Sequence, residues 1–196
     1  LDFSYFRLCV GGGMAVQSAV AKKWKEVTGV PIIEGYGLTE ASPVICCNRV
    51  DGFEKLNSIG LPLPSTDVIL IDDDGNEIKE LGKPGELCAK GPQIMLGYWQ
   101  RKEETDKVMH GDYLKTGDIA TMEKDGSFKI VDRKKDMILV SGFNVYPNEI
   151  EETVAAHPGV LEVAAVGVPD DKSGEAVKIY IVRKNPALTA QAVKDF

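Results

Sequence analysis

Three short stretches of the sequence hold residue types that can do chemistry together. The first is Gly35-Tyr36-Gly37-Leu38-Thr39-Glu40. Glycines at 35 and 37 let the backbone come close to a flat ligand, and Tyr36 between them offers an aromatic face for stacking. Thr39 can hydrogen-bond a phosphate oxygen, and Glu40 is a hard oxygen donor of the kind Mg²⁺ takes. The same six residues also read as a glycine-rich turn around a buried tyrosine. The second stretch is Tyr113-Leu114-Lys115-Thr116-Gly117-Asp118. A carboxylate beside a glycine turn can accept both hydroxyls of a ribose, or it can close an ordinary Asx turn. The third is Asp132-Arg133-Lys134-Lys135-Asp136, continuing through Ser141-Gly142 to Glu149-Ile150-Glu151. Arg133 can pair with ribose or phosphate oxygens, or the run can be a solvated linker.

Other reactive residue types point away from chemistry. Cys9, Cys46, Cys47 and Cys88 lack metal-ligand spacing, and the adjacent pair Cys46-Cys47 cannot form an ordinary bridge. Reduced thiols in a cytosolic protein are the expectation. His110 and His157 have no partner pattern and read as surface or turn residues.

The elements that must position these stretches follow from patterning. Residues 5–10 read as a short buried strand broken by Gly11-Gly12-Gly13, and Val16, Val20, Trp24 and Val27 fall on one face of a helix. Gly29 ends that helix and Ile32-Ile33 begins another strand. This β-α-β order predicts the last part of a parallel α/β layer. From Ser58 the texture changes to short apolar runs (68–71, 85–90, 119–122, 128–131) separated by turn residues, with Asp125-Gly126 a hairpin signal. A small antiparallel barrel with one inserted helix, at 100–109, is predicted there. Beyond the charged run 132–136 the pattern is strand 137–140, helix 147–157 with Pro147 in its first turn, strands 160–168 and 177–182, and a last helix capped by Thr189.

The predicted fold class is therefore α/β plus β. Residues 1–57 form the tail of a parallel α/β layer and 58–131 a β-barrel subdomain. A domain boundary falls at 132–136, and 137–196 form a compact α+β module.

The 196 residues are 43% apolar and 27% charged, with net charge −7. That balance is globular and excludes a disordered, collagen-like or coiled-coil chain. An acidic chain without a basic stripe is no nucleic-acid binder. Its apolar runs fall short of the roughly 18–20 residues that span a bilayer, and no charged-then-apolar leader opens it. The chain starts at Leu1 and stops at Phe196 inside patterned stretches, so a piece of a longer protein, truncated at both ends, is expected.

Taken in order, these motifs resemble the adenylate-forming superfamily, which includes acyl-CoA synthetases, luciferases and peptide-synthetase adenylation domains. The order is Gly-Tyr-Gly-Leu-Thr-Glu at 35–40, Gly85-Glu86-Leu87 with Gly91 and Gly97-Tyr98, Thr116-Gly117-Asp118, Asp132-Arg133-Lys134-Lys135-Asp136, then Gly142 and Glu149-Ile150-Glu151. The stretches 90–101 and 130–151 are most similar to the bacterial long-chain fatty-acid–CoA ligases of that superfamily. The resemblance implies a ligase that turns fatty acid, ATP and CoA into acyl-CoA, AMP and pyrophosphate by way of an acyl-adenylate.

Residue by residue, the resemblance puts Gly11, Gly12 and Gly13 in a glycine turn near adenine. Gly35, Tyr36 and Gly37 fall in the adenine-stacking segment. Thr39 falls at the α-phosphate contact and Glu40 at the Mg²⁺ ligand, the two catalytic assignments. Asp118 and Arg133 are implied ribose contacts and Lys135 the hinge. Ser141 and Gly142 are implied to line the pantetheine channel. The family's Ser/Thr/Gly-rich phosphate loop and terminal Gly-Lys segment have no counterpart in these residues, so they are expected to be inactive by themselves. A cytoplasmic location is implied, with peripheral inner-membrane contact through lipid substrates and a homo-oligomer left open. Two other readings remain: an adenylating enzyme that loads a carrier protein, and a non-catalytic nucleotide-binding module.

Overall fold

The computed structural model describes residues 1–14, 16, 18–51 and 55–196, with only the backbone described at 19. It is a mixed α/β structure that divides into two compact units, Leu1–Ile130 and Val131–Phe196.

The first unit opens with β1 (Cys9–Gly11), α1 (Ser18–Thr28), β2 (Ile32–Gly37), β3 (Val44–Cys47) and β4 (Leu61–Pro62), in the sheet order β1-β2-β3-β4. β1 and β2 pair in parallel because α1 carries the chain back across the sheet. β2 and β3 pair antiparallel, joined by a tight 3₁₀ turn over Thr39–Ala41. The strand expected at 5–10 forms instead at Cys9–Gly11, taking up the first glycine, while Tyr5 and Val10 are exposed. α1 also presents a different face from the one predicted. Val20 and Val27 are exposed, whereas Ala21 and Thr28 are buried and Trp24 is half-buried. Residues 21, 24 and 28 are spaced i, i+3, i+7, as valid a helical stripe as the valine one. The small Ala21 allows the close approach.

The rest of the unit is β5 (Asp67–Ile71), β6 (Gly85–Lys90), α2 (Lys102–Val108), β7 (Met109–His110), β8 (Tyr113–Met122) and β9 (Phe128–Arg133). The division between the units falls within β9. These strands form a half-barrel hydrogen-bonded in the order β5-β6-β8-β7, with β9 on β8; among the described residues it does not close. The pairs β5/β6, β6/β8 and β7/β8 are antiparallel. β6 is its centre and is buried over Gly85–Ala89. One core joins this sheet to the first. Ile45, Cys46 and Ala41 pack with Leu70, Leu87, Ala89, Ala120 and Phe128, and Tyr36 and Leu38 lie against that cluster. Gly60 sits at the seam with φ +82°, where a Cβ would lie 2.1 Å from the Cys47 backbone. No residue but glycine fits there.

The second unit continues with a 3₁₀ turn at Lys134–Asp136, then β10 (Ile138–Val140), β11 (Phe143–Val145), α3 (Pro147–Ala155), β12 (Val160–Asp170), β13 (Gly174–Arg183) and α4 (Ala190–Lys194). The sheet order is β11-β10-β13-β12, antiparallel throughout. α3 starts on Pro147, whose missing N–H costs nothing in a first turn. Its cap comes from far away in sequence: the buried Asp132 carboxylate accepts the Asn148 N–H at 2.9 Å, satisfying an orphan donor and the positive end of the helix. α4 is capped as expected, Thr189 Oγ1 accepting the Ala192 N–H at 3.2 Å. Among the described residues no helix is long and apolar enough to cross a membrane.

Candidate nucleotide site

The site of the first unit is built on the end of β2. The parallel register sets Val10 beside Ile33 and Gly11 beside Glu34, which carries the glycine turn to Gly35. A Cβ on Gly12 would come within 3.1 Å of the Gly35 carbonyl oxygen. Gly37 is more constrained, since a Cβ there would fall 1.8 Å from the Pro43 carbonyl oxygen. That carbonyl accepts the Leu38 N–H at 2.8 Å and closes the loop carrying Thr39 and Glu40. Thr39 is exposed and Glu40 half-buried.

Between the two glycines, Tyr36 pairs with the buried Cys46 on β3. Its hydroxyl donates to Asp118 Oδ2 at 2.5 Å. Two stretches that read as separate in sequence thus meet. Burial, and then the negative Asp118, push the Tyr36 phenol well above its ordinary value, so it stays a donor. Asp118 sits after Gly117, which has φ +76°, in a stretch of β8 bulged opposite Leu87. Thr116 closes the turn there: its Oγ1 donates to the Leu87 carbonyl at 2.8 Å and accepts the Asp118 N–H at 3.2 Å.

Glu40 has a partner that the sequence reading missed. Tyr98 donates its hydroxyl to Glu40 Oε1 at 2.9 Å, while the Glu40 carbonyl accepts the Met95 N–H at 2.8 Å. The hydrogen bond to Glu40, with burial second, raises the Tyr98 pKa. Gln93 braces the same loop by donating to the Val44 carbonyl and to Thr66 Oγ1. The Gly97-Tyr98 motif was the available signal, but only as a family pattern. Glu34 was also missed. It is 8% exposed, accepts the Val16 N–H at 3.4 Å, and burial raises its pKa.

Among the described residues no three of His, Cys, Asp and Glu gather as a metal cage. One half-buried carboxylate beside a hydroxyl, Glu40 with Thr39, nevertheless suits Mg²⁺ held chiefly by substrate phosphates and water, that ion's usual mode. The four cysteines are unbridged, and burial pushes the Cys46 thiol up to about 12, so it is a packing residue.

The remaining predicted residues lie in the second unit, Arg133 at the end of β9 and the others on turns. Arg133 is exposed and its N–H donates to the neighbouring Asp132 carboxylate at 2.7 Å. Lys135 is exposed in the 3₁₀ turn. Ser141 and Gly142, with φ +52° and +86°, are the two central residues of the hairpin joining β10 to β11. Two consecutive positive φ values define the turn that matches strand twist. The Ser141 N–H donates to the Ser173 carbonyl at 2.8 Å, fastening the turn to the sheet.

Comparison with known proteins bears on what this arrangement does. Residues 1–99 match a family model described as AMP-binding enzyme, and residues 149–196 match one described as AMP-binding enzyme C-terminal domain. Over 97% of its length the chain is 63% identical to a protein of Yersinia pestis named long-chain-fatty-acid–CoA ligase, covering 34% of that protein. Over its whole length it is 59% identical to the protein of the same name from Escherichia coli O6:H1, covering 35% of it. The chain thus spans about a third of the length of these relatives. Among solved structures, ATP-bound MatB from Rhodopseudomonas palustris superposes with a TM-score of 0.89 at 34% identity, over 95% of this chain and 37% of that one. The amide bond synthetase McbA from Marinactinospora thermotolerans gives 0.88 at 34% identity, over 99% and 40%.

Proposed function

The chain belongs to the AMP-binding enzyme family, and on that premise we propose that it is the nucleotide-handling part of a ligase that joins a long-chain fatty acid to coenzyme A. A carboxylate does not react with a thiol, because its oxygen is a poor leaving group. Attack of the carboxylate on the α-phosphorus of ATP expels pyrophosphate and makes a mixed anhydride. The CoA sulfur then attacks the acyl carbon, and AMP departs with the anhydride oxygen.

The residues divide this work. The backbone at Gly11, Gly12 and Gly13 and at Gly35 to Gly37 lies against adenine, with the Tyr36 ring as stacking face. Asp118 accepts ribose hydroxyls, and Arg133 adds a second ribose contact. Thr39 hydrogen-bonds the α-phosphate, and Glu40 holds Mg²⁺, which when bound offsets phosphate charge. Lys135 is the pivot between the two half-reactions, and Ser141 and Gly142 border the pantetheine path.

The observation that carries this reading is the Tyr36–Asp118 bond, because it draws the stacking segment and the ribose carboxylate into one place. The fatty acid and CoA rest on the names of relatives 59–63% identical. The test uses a full-length ligase assembled with residues 1–196 in place of the matching third of the Yersinia pestis relative. Pyrophosphate release requiring both ATP and oleate, followed by AMP release on adding CoA, is the expected result. Release of AMP by acyl carrier protein but not by CoA would overturn the acceptor, and pyrophosphate release indifferent to oleate would overturn the acid.

A further inference from the structure

We propose that the Tyr36 hydroxyl is a positioning group for the Asp118 carboxylate and so sets the selectivity of the nucleotide site for a ribose. The proposal rests on the reading of Asp118 as the ribose contact, and it adds a role for Tyr36 beyond its ring face. The two partners differ in how firmly the fold holds them. Tyr36 is anchored by β-pairing to Cys46, which is 0% exposed, and lies against the core cluster. Gly37, with the Pro43 carbonyl pressed against it, fixes where the chain leaves the strand.

Asp118 is held differently. It rides on the bulge of β8, where Glu86 pairs with Ile119 and Cys88 with Lys115, so three residues of β8 stand opposite Leu87. Thr116 ties down the backbone of that bulge. The carboxylate plane is a separate matter, because the last torsion of an aspartate is broad and its orientation is set by partners.

The 2.5 Å separation between Tyr36 Oη and Asp118 Oδ2 lies at the short end of the range for a hydroxyl bonded to a carboxylate. The hydroxyl orients the plane without consuming the site, since a carboxylate has about four acceptor positions. It also supplies a donor that stabilises the ionised form, the form that accepts ribose hydroxyls. A plane held before the nucleotide arrives needs no ordering when it binds.

Tyr36→Phe removes the hydroxyl and keeps the ring, so stacking survives and only the bond is lost. In the assembled full-length ligase, KM is measured for ATP and for 2′,3′-dideoxy-ATP, which lacks both ribose hydroxyls. The expected result is a rise of roughly tenfold for ATP with little change for the dideoxy nucleotide, the size of one charge-assisted hydrogen bond. Equal losses for both nucleotides would make Tyr36 a ring contact only and overturn the proposal. Asp118→Ala separates this failure from that of the underlying reading. If that change abolishes the preference for ATP while Tyr36→Phe keeps it, the ribose reading stands and the proposal falls. If Asp118→Ala leaves the preference intact, both fall. A measurement independent of catalysis uses the 196-residue chain with ¹³C-labelled tyrosine, the Tyr36 Cζ resonance being assigned by its loss in Tyr36→Phe. That resonance shifts in Asp118→Asn if the bond forms, and an unmoved resonance overturns the proposal.

Discussion

The candidate residues of the two units are held in opposite ways. In the first, Tyr36 and Asp118 meet in a half-buried bond backed by Cys46, Leu87 and Ala89, all 0% exposed. In the second, Arg133 is exposed at the end of β9, and Lys135, Ser141 and Gly142 are exposed on turns. Their backbone is anchored within the unit, by the Asp132 cap of α3 and the Ser141–Ser173 backbone bond, while these residues face water. A group that must hold one ligand in one geometry gains from packing that resists motion. A group that must serve two half-reactions in turn gains from its absence. Substitutions in the first unit should therefore damage binding or folding, and those in the second should discriminate between steps.

The sharpest contrast is between two glycines. In Gly37→Ala the new methyl meets the Pro43 backbone at 1.8 Å, and backbone cannot yield as a side-chain end can. A loss of about 3 kcal/mol or more is expected. Gly142→Ala meets nothing within 4 Å and bears only the strain of φ +86°, about 1 kcal/mol. Urea unfolding of the 196-residue chain measures both, and equal losses would break the comparison.

Next in size is Asp118→Ala in the full-length ligase. Losing a carboxylate that accepts ribose hydroxyls costs about 1.5–3 kcal/mol, a rise of some tenfold to a hundredfold in the KM for ATP. An unchanged kcat/KM for ATP would contradict the ribose role.

Lys135→Pro tests the exposed side. Proline holds φ near −65° and biases Lys134 toward extended backbone. It should leave adenylation intact and slow thioester formation by at least about tenfold, roughly 1.4 kcal/mol of barrier. Single-turnover kinetics of each half-reaction checks this. Equal slowing of both would make Lys135 merely structural, and no change would put the pivot elsewhere.

The smallest effect concerns Glu34. Burial raises its pKa in the folded chain. A raised carboxylate contributes its stability fully below the unfolded value, near about 4.3, and loses it as pH rises through the folded value. Glu34→Gln keeps an acceptor for the Val16 N–H and removes the charge. Its advantage over the parent chain in urea unfolding should widen from pH 4 to pH 7, and a constant difference would show that Glu34 is not desolvated.

Local signals were legible where neighbours in sequence determine the outcome. β6 at Gly85–Lys90, the proline start of α3 and the Thr189 cap fall where turn residues and apolar runs put them. The buried face of α1 was not legible, because the valine stripe and the Ala21-Trp24-Thr28 stripe have equal helical spacing. Only the strand beneath selects one of them.

The sequence by itself determined the order of the motifs, the punctuation between strands and the residue types at each candidate position, all of which depend on neighbours a few residues away. Tertiary structure decided which of those residues touch. Tyr36 reaches Asp118 across 82 positions, Tyr98 reaches Glu40 across 58, and Asp132 caps a helix 16 residues on. No local periodicity encodes such pairs. The two pairs of the first unit follow from the packing of the half-barrel's core over β2 and β3, where burying Ile45, Cys46 and Leu87 is worth more than any one hydrogen bond it aligns.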